Sequence, residues 1–278
     1  MSRTPGRQIA VAGGHGFIGR RLCAALLARG DTPVPFGRDG PPAHAPTVCD
    51  ALVWAAGGRS SDPAVMHEAH VAAPLRALAS LRPRRVVYLS SAEVYGRIPV
   101  PFHEADEPRP ETPYGLAKHA GEQALRAACS ALAVPLVILR PTVVYGPGQT
   151  PTMLLPAALA ALRAGHDFPA TAGTQTRDFV HVDDLSALIL RCLAPDAPAG
   201  TFNAGSGHEL PVRDVLLQLA AHLGPAALAH LQLGAVPTRP GEAMRYAIDP
   251  TRSATLLAWR TTISLADGLH ALARAPHQ

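Results

Sequence analysis

The sequence has little of what disulfide frameworks or zinc sites require. Only four cysteines occur in 278 residues, and no two of them form a CxxC pair; they are Cys23, Cys49, Cys129 and Cys192. Their wide spacing argues against a cysteine-based scaffold and favours buried free thiols. We therefore expect no structural disulfide and no metal in the functional site.

Long apolar runs and clustered positive charges are also missing. No apolar run reaches the roughly 20 residues that a membrane helix needs, and the polar residues 1–10 are not those of a secretory signal peptide. The net charge is only +4, and no Lys/Arg run indicates nucleic-acid binding. These absences predict a cytoplasmic protein that binds neither membranes nor nucleic acids.

Strand-like and helix-like segments alternate along the first half of the chain. Short apolar runs predict strands at residues 8–12, 34–36, 51–56, 85–90 and 135–139. Apolar residues at helical spacing predict helices at residues 16–29, 63–81 and 112–133. Because such alternation implies βαβ units, we expect an α/β fold with a Rossmann-type, doubly wound parallel sheet.

After about residue 140 the pattern changes into shorter pieces that are rich in proline and glycine. This change predicts a smaller C-terminal α/β lobe that binds substrate. We assign residues 1–145 mainly to a dinucleotide-binding domain, to which residues of about 176–204 return. Residues 146–278 then form mainly the substrate-binding lobe.

Three glycines lie between the first predicted strand and the first predicted helix. Gly13, Gly16 and Gly19 are three residues apart, which allows a tight turn, close approach of a pyrophosphate, and close packing of helix on strand. The helix N-terminus adds free N–H groups and a partial positive charge. The spacing alone is a weak signal, but its place between strand and helix favours a dinucleotide-binding turn over an ordinary βα turn.

The residues after the second strand indicate which dinucleotide binds. An acidic residue there would bond the ribose 2′-hydroxyl of NAD, whereas an arginine would pair with the 2′-phosphate of NADP. Gly37 stands where the acid is expected and Arg38 follows it, so we favour NADP(H). Asp39 keeps NAD(H) possible, because a small shift of the loop would bring its carboxylate to the ribose.

Tyr114 and Lys118 are four residues apart on one predicted helix and therefore share a face. A nearby ammonium and a positive nicotinamide would both lower the pKa of the tyrosine, which could then exchange a proton with a substrate oxygen. A bare YxxxK pair is common by chance. However, Ser91 ends a predicted strand, where ligands of such sheets bind, and its hydroxyl could donate to a developing oxyanion. Together these residues predict hydride chemistry.

Six motifs in this order resemble those of extended short-chain dehydrogenases, the NAD-dependent epimerase/dehydratase family that acts on nucleotide sugars. They are GGHGFIG (13–19), SSAEVYG (90–96), YGLAK (114–118), LRPTVVYGPG (139–148), RDFVHVDDL (177–185) and FNAGSG (202–207). Residues 239–259 are similar to the C-terminal segment of the family, so the resemblance covers nearly the whole chain.

The resemblance implies roles for the residues at the matching positions. Ser91, Tyr114 and Lys118 would be the catalytic triad. Glu93 would be a further acid–base candidate, and both Ser91 and Glu93 would contact the sugar. The residues implied in cofactor binding are Gly13, Gly16, Phe17, Ile18, Gly19, Arg38, Ala55, Ala56, Tyr114, Lys118 and Pro141.

Two arginines would bind the other end of the substrate. Arg177 and Arg239 match positions that contact the nucleotide diphosphate in the family, and guanidinium groups suit phosphate oxygens. The resemblance also implies a homodimer that forms through the helices at residues 63–81 and 112–133.

Three features depart from the family pattern. Only about a dozen residues connect the second predicted strand, at 34–36, to the strand at 51–56, where the family has another strand and helix, so we expect a sheet trimmed at the adenine edge. His70 replaces an asparagine that organises a proton relay in many relatives, and we favour a helix-packing role for it. Ala92 replaces the aspartic acid of sugar dehydratases, although the base-like Glu93 is present. This difference argues against a standard 4,6-dehydratase.

Several reactions stay open at this point. We favour a 4-ketoreductase that reduces a nucleotide-linked sugar with exchangeable NADPH, with Tyr114 as proton donor. A 4-epimerase with tightly bound NAD is the main alternative. Two further alternatives stay open. One is a non-enzymatic dinucleotide sensor, and the other is an enzyme for a non-nucleotide ketone, which would not need Arg177 and Arg239.

Overall fold

A computed structural model describes residues 6–37, 40–41 and 47–275 of the chain. The strands of this part are β1 (Gln8–Ala12), β2 (Thr32–Phe36), β3 (Ala51–Trp54), β4 (Val86–Leu89), β5 (Leu136–Pro141), β6 (Val143–Tyr145), β7 (Phe168–Ala170), β8 (Thr176–Arg177), β9 (Phe179–His181), β10 (Gly200–Ala204), β11 (Leu210–Pro211) and β12 (Leu231–Leu233). The first five, β1 to β5, lie close to the strands predicted from the apolar runs.

The helices are α1 (Phe17–Ala28), α2 (Pro63–His67), α3 (Ala73–Leu81), α4 (Pro113–Ala131), α5 (Leu154–Arg163), α6 (Val182–Cys192), α7 (Val212–Leu223), α8 (Pro225–His230), α9 (Thr251–Leu257) and α10 (Leu265–Arg274). A π-helical turn, Glu68–Ala72, joins α2 to α3, and a 3-10 turn, Ala92–Tyr95, follows β4. The predicted single helix at residues 63–81 is therefore interrupted at its centre.

Six parallel strands form the central sheet, in the order β2–β1–β3–β4–β5–β10. All residues of β3 and β4 are buried, as expected for strands that are covered on both faces. The strand order reverses between β1 and β3, which creates a crevice at the carboxyl ends of the strands. This topology confirms the predicted Rossmann-type fold.

Apolar side chains from helices cover both faces of the sheet. On one face, α1 and α6 pack with Leu22 and Leu188 in the core, and on the other, α3 and α4 contribute Leu78 and Leu125. The two layers fix the strand ends, and with them the residues that follow each strand.

A separate apolar cluster holds the later segments together. It contains residues of α5, α7 and α10, among them Leu159, Leu216 and Leu269. Strand β10 and helix α6, by contrast, pack with the central sheet. The division into a dinucleotide-binding domain and a substrate lobe stays a proposal that agrees with these contacts.

The sheet ends at β2 on the side of the first strands, within the described part of the chain. Between β2 and β3 the described residues form no further helix, and only an isolated bridge joins Gly37 to Gly40. The structure therefore has the short connection that the sequence predicts. Among the helices of the described residues, none combines the length and the hydrophobicity that a membrane span requires.

Candidate active site

A cleft of about 800 Å³ opens at the carboxyl ends of the central strands. Its lining includes residues that follow β1, β3, β4 and β5, together with residues of α4 and of the later segments. The predicted site residues among its walls are Phe17, Ile18, Ala55, Ser91, Glu93, Tyr114, Lys118, Pro141 and Arg177. The cleft thus brings together predicted site residues that are up to 160 positions apart in the sequence, from Phe17 to Arg177.

Two glycines of the turn after β1, Gly13 and Gly19, have no room for a side chain. Gly13 has a φ of +72°, and a Cβ on it would lie 2.8 Å from the backbone of Ala56. A Cβ on Gly19 would lie only 2.0 Å from the carbonyl oxygen of Gly13, whereas one on Gly16 would lie 3.2 Å from that same oxygen. The turn is therefore fixed by close backbone contacts, and a bound group can approach its main chain directly.

Helix α1 begins at this turn without a side-chain cap. Gly16 is its N-cap residue, and the first turn of the helix contains no acidic residue. Uncapped N–H groups and the helix dipole favour an anion at this position. These features fit the pyrophosphate of a dinucleotide, with Phe17, Ile18, Ala55 and Pro141 along the same cleft. Arg38, predicted to select NADP, lies outside the described residues.

Tyr114 and Lys118 project from the first turns of α4. Thr112 caps this helix by accepting a hydrogen bond from the N–H of Gly115 (2.9 Å), and Pro113 occupies the first helical position. The ammonium of Lys118 donates to the carbonyl oxygen of Leu89 (2.6 Å) and lies 5.6 Å from the centre of the Tyr114 ring. The predicted pair is therefore assembled beside the end of β4.

Burial dominates the ionisation of both groups. It raises the pKa of Tyr114 to about 12, an effect that Arg59 opposes and Glu93 reinforces. It lowers the pKa of Lys118 to about 7, against the attraction of Glu122. The protein alone therefore does not lower the pKa of Tyr114 as the sequence predicts, because desolvation of the phenolate outweighs the neighbouring cations.

Ser91 and Glu93 lie in the segment that follows β4. The N–H of Glu93 donates to the Ser91 hydroxyl (3.1 Å), which also has Tyr246 as a neighbour. Thr112 donates to the carboxylate of Glu93 (2.9 Å), so that Glu93 bridges the 3-10 turn and the start of α4. Ser91 and Glu93 are therefore held at the wall of the cleft that contains Tyr114.

Arg59 is a charged residue of the cleft that the motifs did not reveal. Its guanidinium lies 4.2 Å from the centre of the Tyr114 ring and forms a two-pronged ion pair with Glu93. It belongs to the loop after β3, within the run GGRSS at residues 57–61. A polar pattern of this kind gives no signal before the tertiary structure is known.

The two arginines predicted to bind diphosphate occupy different environments. Arg177 lines the cleft, donates to the carbonyl oxygens of Thr176 (2.7 Å) and Ala243 (2.8 Å), and forms an ion pair with Glu242. Arg239 is exposed and is not among the residues that line the cleft. The structure therefore brings one of the two into the site, and the role of Arg239 stays a prediction.

His70 lies in the π-helical turn and is fully buried. Its Nε2 forms a hydrogen bond with the carbonyl oxygen of Gly58 (3.2 Å), and its ring meets that of Tyr114 edge to face at 5.5 Å. Burial and the Lys118 ammonium lower its pKa to about 4, so the imidazole is neutral at pH 7. His70 packs inside the fold, as we favoured, but it also contacts the site.

A buried ion pair supports the site from below. Arg140 binds both carboxylate oxygens of Glu122 at 2.9 and 2.7 Å, and the Ser90 hydroxyl donates to the same carboxylate (2.5 Å). Ser90 follows β4, Arg140 lies on β5, and Glu122 lies on α4, one helical turn after Lys118. The network therefore connects these three elements next to the cleft. Arg140 is part of the motif LRPTVVYGPG but received no role there, and Glu122 lies outside the quoted motifs.

Comparison with known proteins assigns the chain to a family. Residues 48–205 match the model of the NAD dependent epimerase/dehydratase family. The chain belongs to this family. A dTDP-glucose 4,6-dehydratase of Streptomyces niveus is 31% identical over 199 residues, which are 70% of this chain and 58% of that protein.

Two further proteins to which the chain is similar carry different names. A UDP-glucose 4-epimerase of Mycolicibacterium smegmatis is 31% identical over 194 residues, which cover 67% of this chain and 60% of that protein. The solved structure of DesIV, a dTDP-glucose 4,6-dehydratase of Streptomyces venezuelae with NAD and TYD bound, has a TM-score of 0.85. It is 26% identical, and the match covers 96% of each chain. The matched regions span about 60% of the length of the two curated relatives.

Proposed function

We propose that the protein is an NAD(P)-dependent oxidoreductase that reduces a nucleotide-linked sugar at a C4 carbonyl, with Tyr114 as proton donor. The observation that carries this proposal is a cleft lined by Phe17 and Ile18 at the start of α1, which follows the glycine-rich turn, together with the Ser91–Tyr114–Lys118 group and Arg177. The family of the chain supports the nucleotide-sugar substrate class. A cytoplasmic homodimer, formed through the helices at residues 63–81 and 112–133, is part of the same proposal.

The nicotinamide dinucleotide, when bound, supplies the hydride. The glycine-rich turn and the uncapped start of α1 would hold its pyrophosphate. We favour NADP(H) over NAD(H) because Gly37 at the end of β2 provides no carboxylate for a ribose 2′-hydroxyl. Arg38 would bind the 2′-phosphate.

The protein residues control the proton and the carbonyl oxygen. The Ser91 hydroxyl would donate a hydrogen bond to that oxygen, and Tyr114 would deliver its proton there as the carbonyl carbon is reduced. With a pKa of about 12 in the free protein, Tyr114 holds its proton at pH 7 and is ready to act as an acid. Arg177, together with Arg239, would bind the diphosphate.

A 4-epimerase with tightly bound NAD is the second candidate, favoured by the M. smegmatis relative. A 4,6-dehydratase has less support, although the S. niveus relative carries that name. The position that holds an aspartic acid in such enzymes is Ala92, which is fully buried here and provides no acid. A dinucleotide sensor has less support still, because the complete triad lines the cleft.

The experiment that tests the proposal combines cofactor analysis with turnover. The purified protein is denatured and its supernatant analysed for NAD(P)(H), and the protein is then assayed with NADPH and 4-keto nucleotide sugars at 340 nm. A reductase should release its cofactor on dialysis and consume NADPH with such substrates. A retained, non-dissociating NAD(H) together with C4 inversion of UDP-glucose would establish the epimerase instead.

Arg177→Ala separates nucleotide-linked substrates from free ketones. The variant should lose affinity for the nucleotide sugar by about 10- to 100-fold, because charge-assisted bonds to phosphate are among the stronger polar contacts. An unchanged KM would favour a substrate without a diphosphate.

A further inference from the structure

The side chain of Arg59 spans the cleft between two elements that the proposed reaction needs. Its guanidinium covers the ring of Tyr114 at 4.2 Å, on α4, and its other contact is the carboxylate of Glu93, in the 3-10 turn. Glu93 is in turn fixed by the Thr112 hydroxyl at 2.9 Å. The cation is therefore held in one place by contacts on both sides.

The loop that carries Arg59 is fixed by close packing against His70. Gly57 has a φ of +112°, and a Cβ on it would lie 2.2 Å from the imidazole carbon Cε1 of His70. The imidazole also bonds to the carbonyl oxygen of Gly58 at 3.2 Å. Because both residues before Arg59 are locked in this way, the position of its backbone is defined by the buried π-helical turn.

Arg59 lies closer to Tyr114 than Lys118 does. The Lys118 ammonium is 5.6 Å from the centre of the ring and is already bonded to the Leu89 carbonyl. The other ionisable groups that face Tyr114 from neighbouring elements are His70, Tyr88, Glu93 and Tyr246. Glu93 and Arg59 therefore place opposite charges beside the same phenol.

We propose that Arg59 is a positioning residue of the proton transfer: its guanidinium, stacked on Tyr114 and held by Glu93, stabilises the phenolate that forms when Tyr114 gives up its proton. This inference rests on the proposed role of Tyr114 as proton donor. In the reduction, the O–H bond of Tyr114 breaks, the proton goes to the carbonyl oxygen, and the electron pair stays on the phenolate oxygen. The same cation would favour the phenolate as base in the reverse oxidation.

The two charges predict opposite effects of two substitutions. Arg59→Gln removes the cation and should raise the pKa of Tyr114. Glu93→Gln removes the anion and should lower that pKa, while its amide oxygen can still accept from Arg59. Shifts of about one pH unit are expected for charges at such distances, and the double variant Arg59→Gln/Glu93→Gln should return towards the wild type.

Nuclear magnetic resonance can follow these ionisations without substrate or cofactor. The protein is labelled with ¹³C at Cζ of its five tyrosines, and the Tyr114 signal is assigned by its loss in Tyr114→Phe. Because Lys118 is the only lysine in the sequence, ¹³C-lysine gives one Cε signal that titrates with it. Arg59 also lowers the pKa of Lys118, so that Arg59→Gln should move this titration upwards from about 7.

The matched control is Arg76→Gln, which breaks an exposed Arg–Glu pair with Glu68 outside the cleft. It should leave both titrations unchanged, and Arg59→Lys should lie between the wild type and Arg59→Gln. Circular dichroism and thermal unfolding of each variant identify any loss of fold. If Arg59→Gln is folded and neither titration moves, the proposal is wrong, even if the melting temperature falls.

A pH profile of the oxidation of the sugar alcohol supplies the second readout. The rate should rise with pH as Tyr114 ionises, and this rise should move to higher pH in Arg59→Gln and to lower pH in Glu93→Gln. Shifts in the same direction for both variants would overturn the proposal. If the wild type turns over no nucleotide sugar, the proposed function fails, but the substrate-free titrations still decide whether Arg59 acts on Tyr114.

Discussion

The two halves of the cleft are built on different physical principles. The half at the glycine-rich turn depends on residues without side chains, because a Cβ on Gly13 or Gly19 would collide with backbone atoms. The half around Tyr114 is shaped by charges in pairs, with Arg59 against Glu93 and Arg177 against Glu242. Steric contacts define one half regardless of pH, whereas the properties of the other depend on which groups carry a proton.

This difference predicts that substitutions in one half of the cleft change the function of that half and leave the function of the other half intact. Substitutions in the charged half should change rates and pH profiles while the dinucleotide still binds. Substitutions in the glycine turn should weaken dinucleotide binding while the ionisation of Tyr114 is unchanged.

The largest effect is expected for Tyr114→Phe. The variant keeps the ring under Arg59 but removes the proton donor, so that kcat should fall by about 100- to 10,000-fold. The dissociation constant of the dinucleotide, measured by fluorescence or calorimetry, should stay within about twofold. A parallel loss of dinucleotide affinity would show that the two halves are not separable.

The next largest effect is expected for Glu122→Gln, beneath the charged half. The substitution leaves the buried Arg140 without its carboxylate partner, which typically costs about 3–5 kcal/mol of the free energy of unfolding. Urea unfolding of the variant measures this loss. Glu68→Gln is the control, because its pair with Arg76 is exposed and exposed pairs contribute little to stability. Equal losses in the two variants would contradict the buried-pair interpretation.

A smaller effect is expected for Gly19→Ala in the glycine turn. The added Cβ would lie 2.0 Å from the Gly13 carbonyl oxygen, and such overpacking costs about 1–3 kcal/mol. Dinucleotide affinity should fall, as measured by calorimetry. Gly16→Ala should do less harm, because its Cβ meets the same oxygen at 3.2 Å and a small shift relieves the contact. The reverse ranking would refute the steric account of this half.

A further effect is a pH dependence of stability from Lys118. Its pKa is about 7 in the folded protein and near 10.5 in the unfolded chain. Between these values the unfolded chain holds a proton that the folded protein lacks, so the free energy of unfolding should rise with pH. Comparing urea unfolding at pH 7.5 and 9.5 in the wild type and Lys118→Met isolates this rise. An equal pH dependence in both proteins would contradict the lowered pKa.

The sheet and the glycine turn could be predicted because local patterns determine them. Apolar runs such as 51–54 and 86–89 form the buried strands, and the glycine spacing reflects contacts within one βα unit. The placement of Ser91, Tyr114 and Lys118 along one cleft could be expected because the three residues occur in ordered motifs, and their catalytic roles stay a prediction. Contacts such as Arg59–Glu93 and Glu122–Arg140 were not, because they join segments whose proximity depends on the complete fold.

The pKa of Tyr114 is a second property that the sequence alone does not predict. The sequence places a lysine one helical turn away, which predicts a lowered pKa. It does not reveal how deeply the phenol is buried or that Leu89 takes up the lysine ammonium. Burial is a property of the assembled cleft, and in the protein alone it reverses the direction of the shift.

The single lysine also determines how the protein responds to amine chemistry. Lys118 is 3% exposed and bonded to a main-chain carbonyl, and the remaining Lys/Arg positions are all arginine. Reagents and enzymes that acylate, cross-link or conjugate lysine side chains therefore find no accessible target among the lysines of the folded protein. Lysine labelling that appears only on heating or in denaturant would report the opening of the region around the end of β4.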